Sequence, residues 1–310
     1  MVRIRLSLIL ASLMLLTGSG CLFRSHKVQS RLSNAPLLSA GSADLIERVN
    51  SASAKIRTMN ATVDIATSVG GVKKGKVTEY SEIRGYILAE KPAMLRMIGL
   101  LPIVRNRAFD MVSNGRDFKL WIPPKNRFIT GANEVTTPSA NPLENLRPQV
   151  IYDALLLRDI DPRSEVAVME AGTQTVRDPR NAGKTLDQAN YQLDVIRRDT
   201  NGEWYLSREI FFNRADLSLY RQVIFDRRGN IATDASYTDF QDHEGVSFPS
   251  HIEIVRPQEE YTIGLKIVSL KLNIAFGPDQ FELAQPPGAD VKILGNSSAS
   301  NTPPQTNPAK

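Results

Sequence analysis

Residues 191–212 read YQLDVIRRDTNGEWYLSREIFF. Tyr191, Leu193 and Val195 alternate with Gln192 and Asp194, the period-two pattern of a strand with one buried face. Asn201-Gly202 follows, a dipeptide suited to the positive backbone angles of a tight turn, and Trp204, Leu206, Ile210 and Phe212 then begin a second apolar series. The two segments form a hairpin, and strand patterns continue in both directions from it. Downstream come Leu219–Asp226, a turn at Arg227-Arg228-Gly229-Asn230, Ile231–Phe240, Val246–Val255 after Gly245, and the long segment Tyr261–Phe276. Upstream, strands are expected at Ala61–Val69, Lys76–Leu88, Met94–Ile98, Arg105–Ser113, Phe118–Ile122 and Arg127–Thr130. Two stretches carry a helical pattern. One has Leu45, Ile46, Val49, Ala52, Ile56 and Met59 behind a cap at Ser42 or Asp44; the other spans Gln149 to Leu157 behind Pro148.

About a dozen strands in meander order, with so few helices, exclude a parallel α/β sheet. The expected fold is mainly β: an incomplete antiparallel β-barrel, a curled sheet covered by a small number of helices. Its inward face would carry Leu95, Met97, Trp204, Ile210, Phe212, Phe225, Ile252, Ile254 and Leu265, which are the candidate lining of a ligand cavity. Alternation alone fits a filled core equally well, because the inner face of any barrel is apolar.

The two ends are of another kind. Arg3 and Arg5, the apolar run Ile4–Leu16 and the small residues Thr17-Gly18-Ser19-Gly20 follow the order of a secretory leader over residues 1–20. The apolar run is shorter than the roughly 20 residues that a spanning helix needs. Cys21, the single cysteine, stands directly after the small residues, where bacterial lipoproteins receive their lipid; alone, it excludes an internal disulfide. Gly18 occupies a position where such leaders usually have Leu, and Leu22 rather than Asp follows the cysteine, which favours the outer membrane. Residues 21–44 read as a flexible tether, 45–294 as the folded domain and 295–310 as a disordered tail.

The formal charge of +5 falls to about +3 once Arg3 and Arg5 leave with the leader. Basic and acidic residues are interspersed, so nucleic acid is not an expected partner, and attraction to anionic head groups is weak. Three histidines are present: His26 in the tether, and His243 and His251 on or beside neighbouring strands. No HExxH, paired cysteines or Gly-x-Ser-x-Gly accompanies them. Asp239, Asp242, His243 and Glu244 read as a polar loop more than a metal site, and Gly70, Gly71 and Gly75 among Lys73, Lys74 and Lys76 as a hairpin tip more than a phosphate cradle. The expectation is a non-enzyme without cofactor or metal.

Three further segments carry a resemblance. They are Gly85-Tyr-Ile-Leu-Ala-Glu-Lys91-Pro92 followed by Met94-Leu95-Arg96-Met97; Ser113-Asn114-Gly115-Arg116 followed by Leu120-Trp121-Ile122-Pro123; and Phe281-Glu-Leu-Ala-Gln-Pro286-Pro287-Gly288. In this order, and with Phe248-Pro249 after Gly245, they resemble the LolA/LolB family of periplasmic lipoprotein carriers and receptors. The resemblance covers residues 45–294 and implies an open barrel with a helical lid, whose apolar cavity takes the acyl chains of lipoprotein cargo. It also implies that Lys91, where the carrier proper has Arg, is a lid latch. Leu100 and Leu101, in the Gly99-Leu100-Leu101-Pro102 turn, would form the loop that places cargo into the membrane. The segment Asp159–Ala189 is longer than the family pattern, and an anchored Cys21 is a receptor trait. The partners implied are acyl chains or lipoprotein cargo, a membrane reached through the lipid anchor, and other envelope proteins. Two alternatives stay open: a structural lipoprotein of envelope assembly with a filled core, and a lipid or glycolipid shuttle.

Overall fold

The computed structural model describes residues 36–73, 75–133, 147–177 and 183–294. The leader 1–20, the lipidation candidate Cys21, tether residues up to 35 and the tail 295–310 lie outside the described residues.

The N-terminal half supplies helix α1 (Ser42–Lys55) and strands β1 (Thr58–Gly71), β2 (Lys76–Glu90), β3 (Met94–Leu100), β4 (Arg107–Ser113), β5 (Asp117–Ile122) and β6 (Arg127–Ala132). Helix α2 (Pro148–Leu155) leads into β7 (Glu165–Arg177), β8 (Thr185–Arg198), β9 (Trp204–Asn213), β10 (Leu219–Phe225), β11 (Ile231–His243), β12 (Val246–Arg256), β13 (Tyr261–Leu272) and β14 (Asp290–Leu294). All fourteen strands join one sheet, in the order β14-β6-β5-β4-β3-β2-β1-β13-β12-β11-β10-β9-β8-β7. From β6 through to β8 each pairing is antiparallel, whereas β14 runs parallel to β6. β14 and β7 are edges and do not pair with each other, so the sheet curls without closing.

Local chemistry explains the curl. Register shifts between Thr62 and Val63, Ile65 and Thr67, and Val195 and Ile196 insert bulges, which sharpen the right-handed twist of a strand pair. Gly85 faces Gly99 across β2 and β3. A Cβ on Gly99 would run into the Phe109 ring, and one on Gly85 would lie 2.5 Å from Ile65 and 2.8 Å from the Ile98 carbonyl. The paired glycines let those side chains fold over the backbone, a known device for bending sheets.

Of three buried apolar clusters, the two larger ones involve the helices, and the third gathers Val112, Phe128 and Leu283. In the largest, Val150, Ile151, Ala154 and Leu155 of α2 pack against Leu95, Met97, Met111, Phe118, Ile252, Ile254 and Leu265 of the sheet. In the second, Leu45 and Val49 of α1 pack against Leu193, Val195, Ile210, Phe212 and Leu217.

Several boundaries differ from expectation. Helix α1 starts at Ser42, and Leu38 already donates its amide to Arg214 O (2.7 Å) and accepts from the Arg214 guanidinium (3.3 Å), so the final tether residues are docked. Met59, expected on the helix, is a buried residue of β1. β7 had no strand pattern assigned; it lies in the long segment read as an insertion. Pro278–Phe281 form a short 3-10 turn, and the last strand, Asp290–Leu294, follows Gly288. The Thr175 hydroxyl of β7 donates to the Asp187 carboxylate of β8 at 2.8 Å.

Candidate functional site

Helix α1 buries Leu45, Val49 and Ser53, which the helical repeat stacks on one side. Asp44 accepts a hydrogen bond from the Gly41 amide (2.8 Å) and satisfies one orphan donor at the helix start. Past Val49 the helix stands off the sheet and leaves a cavity of about 420 Å³. Val49, Ala52 and Ile56 line one side, and Leu155 and Leu157 the end of α2. Phe212, Leu219, Tyr237 and Phe248 make the floor. The volume falls in the range of small-molecule sites, about 300–1,000 Å³, and the lining is mainly apolar. Burial pushes the Tyr237 hydroxyl pKa up, so it stays neutral. A larger hollow, about 690 Å³, has Asp64, Glu79, Glu253 and Lys266 on its walls.

Lys91 is part of the cavity lining. Its ammonium donates to the Ser53 carbonyl (2.5 Å), the Ser53 hydroxyl (2.7 Å) and the Leu157 carbonyl (3.2 Å). One cation thus joins the last turn of α1 to the segment after α2, and it complements the negative end of the α1 dipole. Burial lowers the Lys91 pKa, and nearby Asp159 opposes that shift.

The candidate lining divides. Phe212 lines the cavity. Leu95, Met97, Ile252, Ile254 and Leu265 are buried in the α2 cluster, and Ile210 in the α1 cluster, packed by neighbours instead of facing this space. Trp204 is a correction: it is 53% exposed, with the Arg198 guanidinium 5.9 Å from its ring. The cause is the bulge at Val195/Ile196. Val195 pairs with Arg208 and Ile196 with Leu206, leaving Ser207 as the extra residue, so the side chains of β9 before it exchange faces. Phe225 is a second correction. Gln222 lies opposite the inward Ile210, which gives Gln222 the inner face; Phe225, at the strand end, borders a separate small polar hollow. Tyr237, Leu157 and Ala52 escaped notice because a cavity wall between elements has no sequence period. Phe248 and Pro249, noticed only as a motif, both line it.

The β3–β4 turn also differs from expectation. Leu100 and Leu101 are half-buried, and the Leu101 amide donates to Asn106 O (2.8 Å). The exposed apolar pair is Ile103 and Val104, with Ile103 99% exposed and at φ +68°. Pro102 ends the strand register, so the chain turns over at 103 and 104 instead. Around the histidines, His251 Nδ1 lies 2.9 Å from Asp239, both exposed. Among the described residues, no group of three His, Cys, Asp or Glu side chains is placed to hold a metal ion. Among the same residues, no helix is long and apolar enough to cross a membrane.

No protein family and no curated protein matches the chain by sequence. Among solved structures, a domain from Vibrio parahaemolyticus described as an outer membrane lipoprotein-sorting protein matches 76% of this chain and 95% of its own, at 12% identity and a TM-score of 0.47. A LolA superfamily protein from Nitrosomonas europaea matches 79% of this chain and 99% of its own, at 15% identity and a TM-score of 0.45. The chain is similar to lipoprotein-sorting and LolA superfamily structures.

Proposed function

We propose that the protein is an envelope lipoprotein, anchored to the outer membrane by a lipid on Cys21, that shelters an acyl chain of a lipid or of another lipoprotein. The observation that carries this is the mainly apolar cavity under α1, with Lys91 in its lining bonded to both Ser53 and Leu157. Each methylene withdrawn from water contributes about 0.8 kcal/mol, so a cavity with no reactive groups is sufficient to hold a chain. Lys91 is then the latch of the lid. The tip at Ile103 and Val104, beside Arg105 and Arg107, is the part that meets the membrane: apolar side chains enter the interface while the cations face anionic head groups.

Mass spectrometry of lipid carried through mild purification, together with uptake of a fluorescent apolar probe, tests the cavity. Ala52→Trp, which fills the space from the helix side, is expected to abolish uptake while the protein stays folded. Equal uptake by this variant would remove the cavity from consideration. Cys21→Ser is expected to release a folded protein from membranes after a salt wash; persistence in the pellet would count against the anchor.

A filled-core scaffold of envelope assembly is the second reading, favoured by the tight burial of Leu95, Met97, Ile252, Ile254 and Leu265. It predicts exclusion of the probe by the unaltered protein.

A further inference from the structure

Just past α2, residue chemistry changes. Leu155 and Leu157 line the apolar cavity, whereas Asp153 and Arg158 border a second hollow of about 150 Å³ together with Arg197, Tyr205 and Arg208. Three guanidinium groups converge on the fully buried Glu165 carboxylate: Arg158 at 2.7 Å, Arg208 at 3.6 Å and Arg197 at 3.9 Å. A single carboxylate cannot satisfy three groups that carry five donors each. Arg208 gives its terminal nitrogens to the carbonyls of Arg158 (2.7 Å) and Asp159 (2.6 Å), yet its buried Nε finds no hydrogen-bond partner among the described residues. Arg197 has only its long approach to Glu165 and makes no hydrogen bond there.

Besides Glu165, the acids that act on Arg208 are Asp159 and Asp153. Burial raises the Asp153 pKa, with a hydrogen bond from Gln149 opposing the shift, so its negative charge is disfavoured. Burial, with repulsion from Arg158, pushes the Arg208 pKa down to about 10, and the group remains a cation at neutral pH. Three guanidinium groups therefore border a hollow of about 150 Å³, with the buried Arg208 Nε left without a hydrogen-bond partner among the described residues.

We propose that this hollow is an oxyanion site that takes a phosphate group, either free or on a lipid head. Guanidinium forks match the oxygens of phosphate in pairs, and in a partly buried recess such bonds are stronger than at an open surface. Arg197 and Arg158, each less than half exposed, are the arms that reach the anion from the rim, and Arg208 supplies the buried donor. The site stands independently of the acyl-chain proposal; only the lipid arm of the test joins the two.

The test uses the soluble Cys21→Ser protein titrated with inorganic phosphate at fixed ionic strength, with chloride as the balancing salt. The melting midpoint is expected to rise and saturate with phosphate. In Arg158→Gln/Arg197→Gln the rise is expected to vanish. Arg197→Gln alone, which breaks no hydrogen bond of the fold, is expected to weaken the apparent affinity roughly tenfold. A flat midpoint in the parent protein, or an unchanged rise in both variants, overturns the site. A second arm compares a lysophosphatidic acid with the neutral monoacylglycerol of the same chain. Preference for the phosphorylated lipid that disappears in the double variant identifies a lipid head as the source; response to inorganic phosphate alone identifies the free ion. Phosphate binding with no uptake of either lipid leaves the oxyanion site standing and removes the acyl-chain proposal instead.

Discussion

Lys91 holds three acceptors while half-buried, and its replacement by Met leaves the Ser53 and Leu157 carbonyls without their donor. The expected cost is about 1–3 kcal/mol, and urea unfolding checks it. Because burial sets the native pKa of Lys91 below 10.5, the folded state binds fewer protons than the unfolded one between those two values. The stability difference between parent and Lys91→Met is therefore expected to be flat below the native pKa and to rise in favour of the parent as pH climbs toward 10.5. Asp153 has the opposite sign. Its raised pKa makes the native state hold a proton that the unfolded chain releases from about pH 3.8 upward, so stability falls with rising pH through that window. Asp153→Asn is expected to remove that decline, measured as a smaller loss of urea midpoint between acid and neutral pH. Lys91 was legible in advance because a lysine before Pro92 sits in a segment with a family pattern. Arg208 was not, since an arginine on an alternating strand looks like a surface residue until Glu165 and the chain at 158 and 159 are folded over it.

At the level of elements, the strand periods were readable almost throughout, and the failures have one physical cause. Alternation assigns faces only while the register is unbroken; one extra residue at Ser207 turned Trp204 outward, although nothing in its neighbours marks the bulge. β7 was unreadable for a different reason: its inward positions are Glu165, Ala167 and Met169, while the β-branched Val166 and Val168 stand exposed, so its alternation does not mark the buried face. The β3–β4 turn offers a test at this scale. Ile103 holds a left-handed backbone that a β-branched residue occupies only at a cost, about 1 kcal/mol or more. Ile103→Gly is expected to raise the melting midpoint and at the same time to weaken binding to anionic vesicles, in a flotation assay. A gain in stability with unaltered flotation would show that the tip is not the membrane contact. At Gly99, by contrast, substitution by Ala is expected to destabilise by about 1–3 kcal/mol, because the Phe109 ring occupies the space.

Across the whole molecule, β1 and β13 join the two halves of the chain: Val63 lies beside Ile267 and Ile65 beside Leu265. Leu95 from one half and Ile254 from the other meet in a single cluster around α2. Leu95→Ala and Ile254→Ala are each expected to cost about 2–5 kcal/mol and to shift one shared unfolding transition; two separate transitions, each answering to one variant, would contradict a common core. Pairings so distant in sequence also imply slow refolding for a protein of this size, which stopped-flow fluorescence can follow. The large antiparallel sheet was legible from composition and alternation, whereas the division of its interior into the two larger clusters was not, because that depends on where α1 and α2 come to rest. Their joint attachment to one ammonium has a thermodynamic consequence. With Ser53 and Leu157 bound by the same charge, loosening either cover releases part of the other's restraint, so the two openings share a coupling free energy. Backbone hydrogen exchange at the end of α1 and in the segment after α2 should then report one opening constant, and Lys91→Met should split it into two.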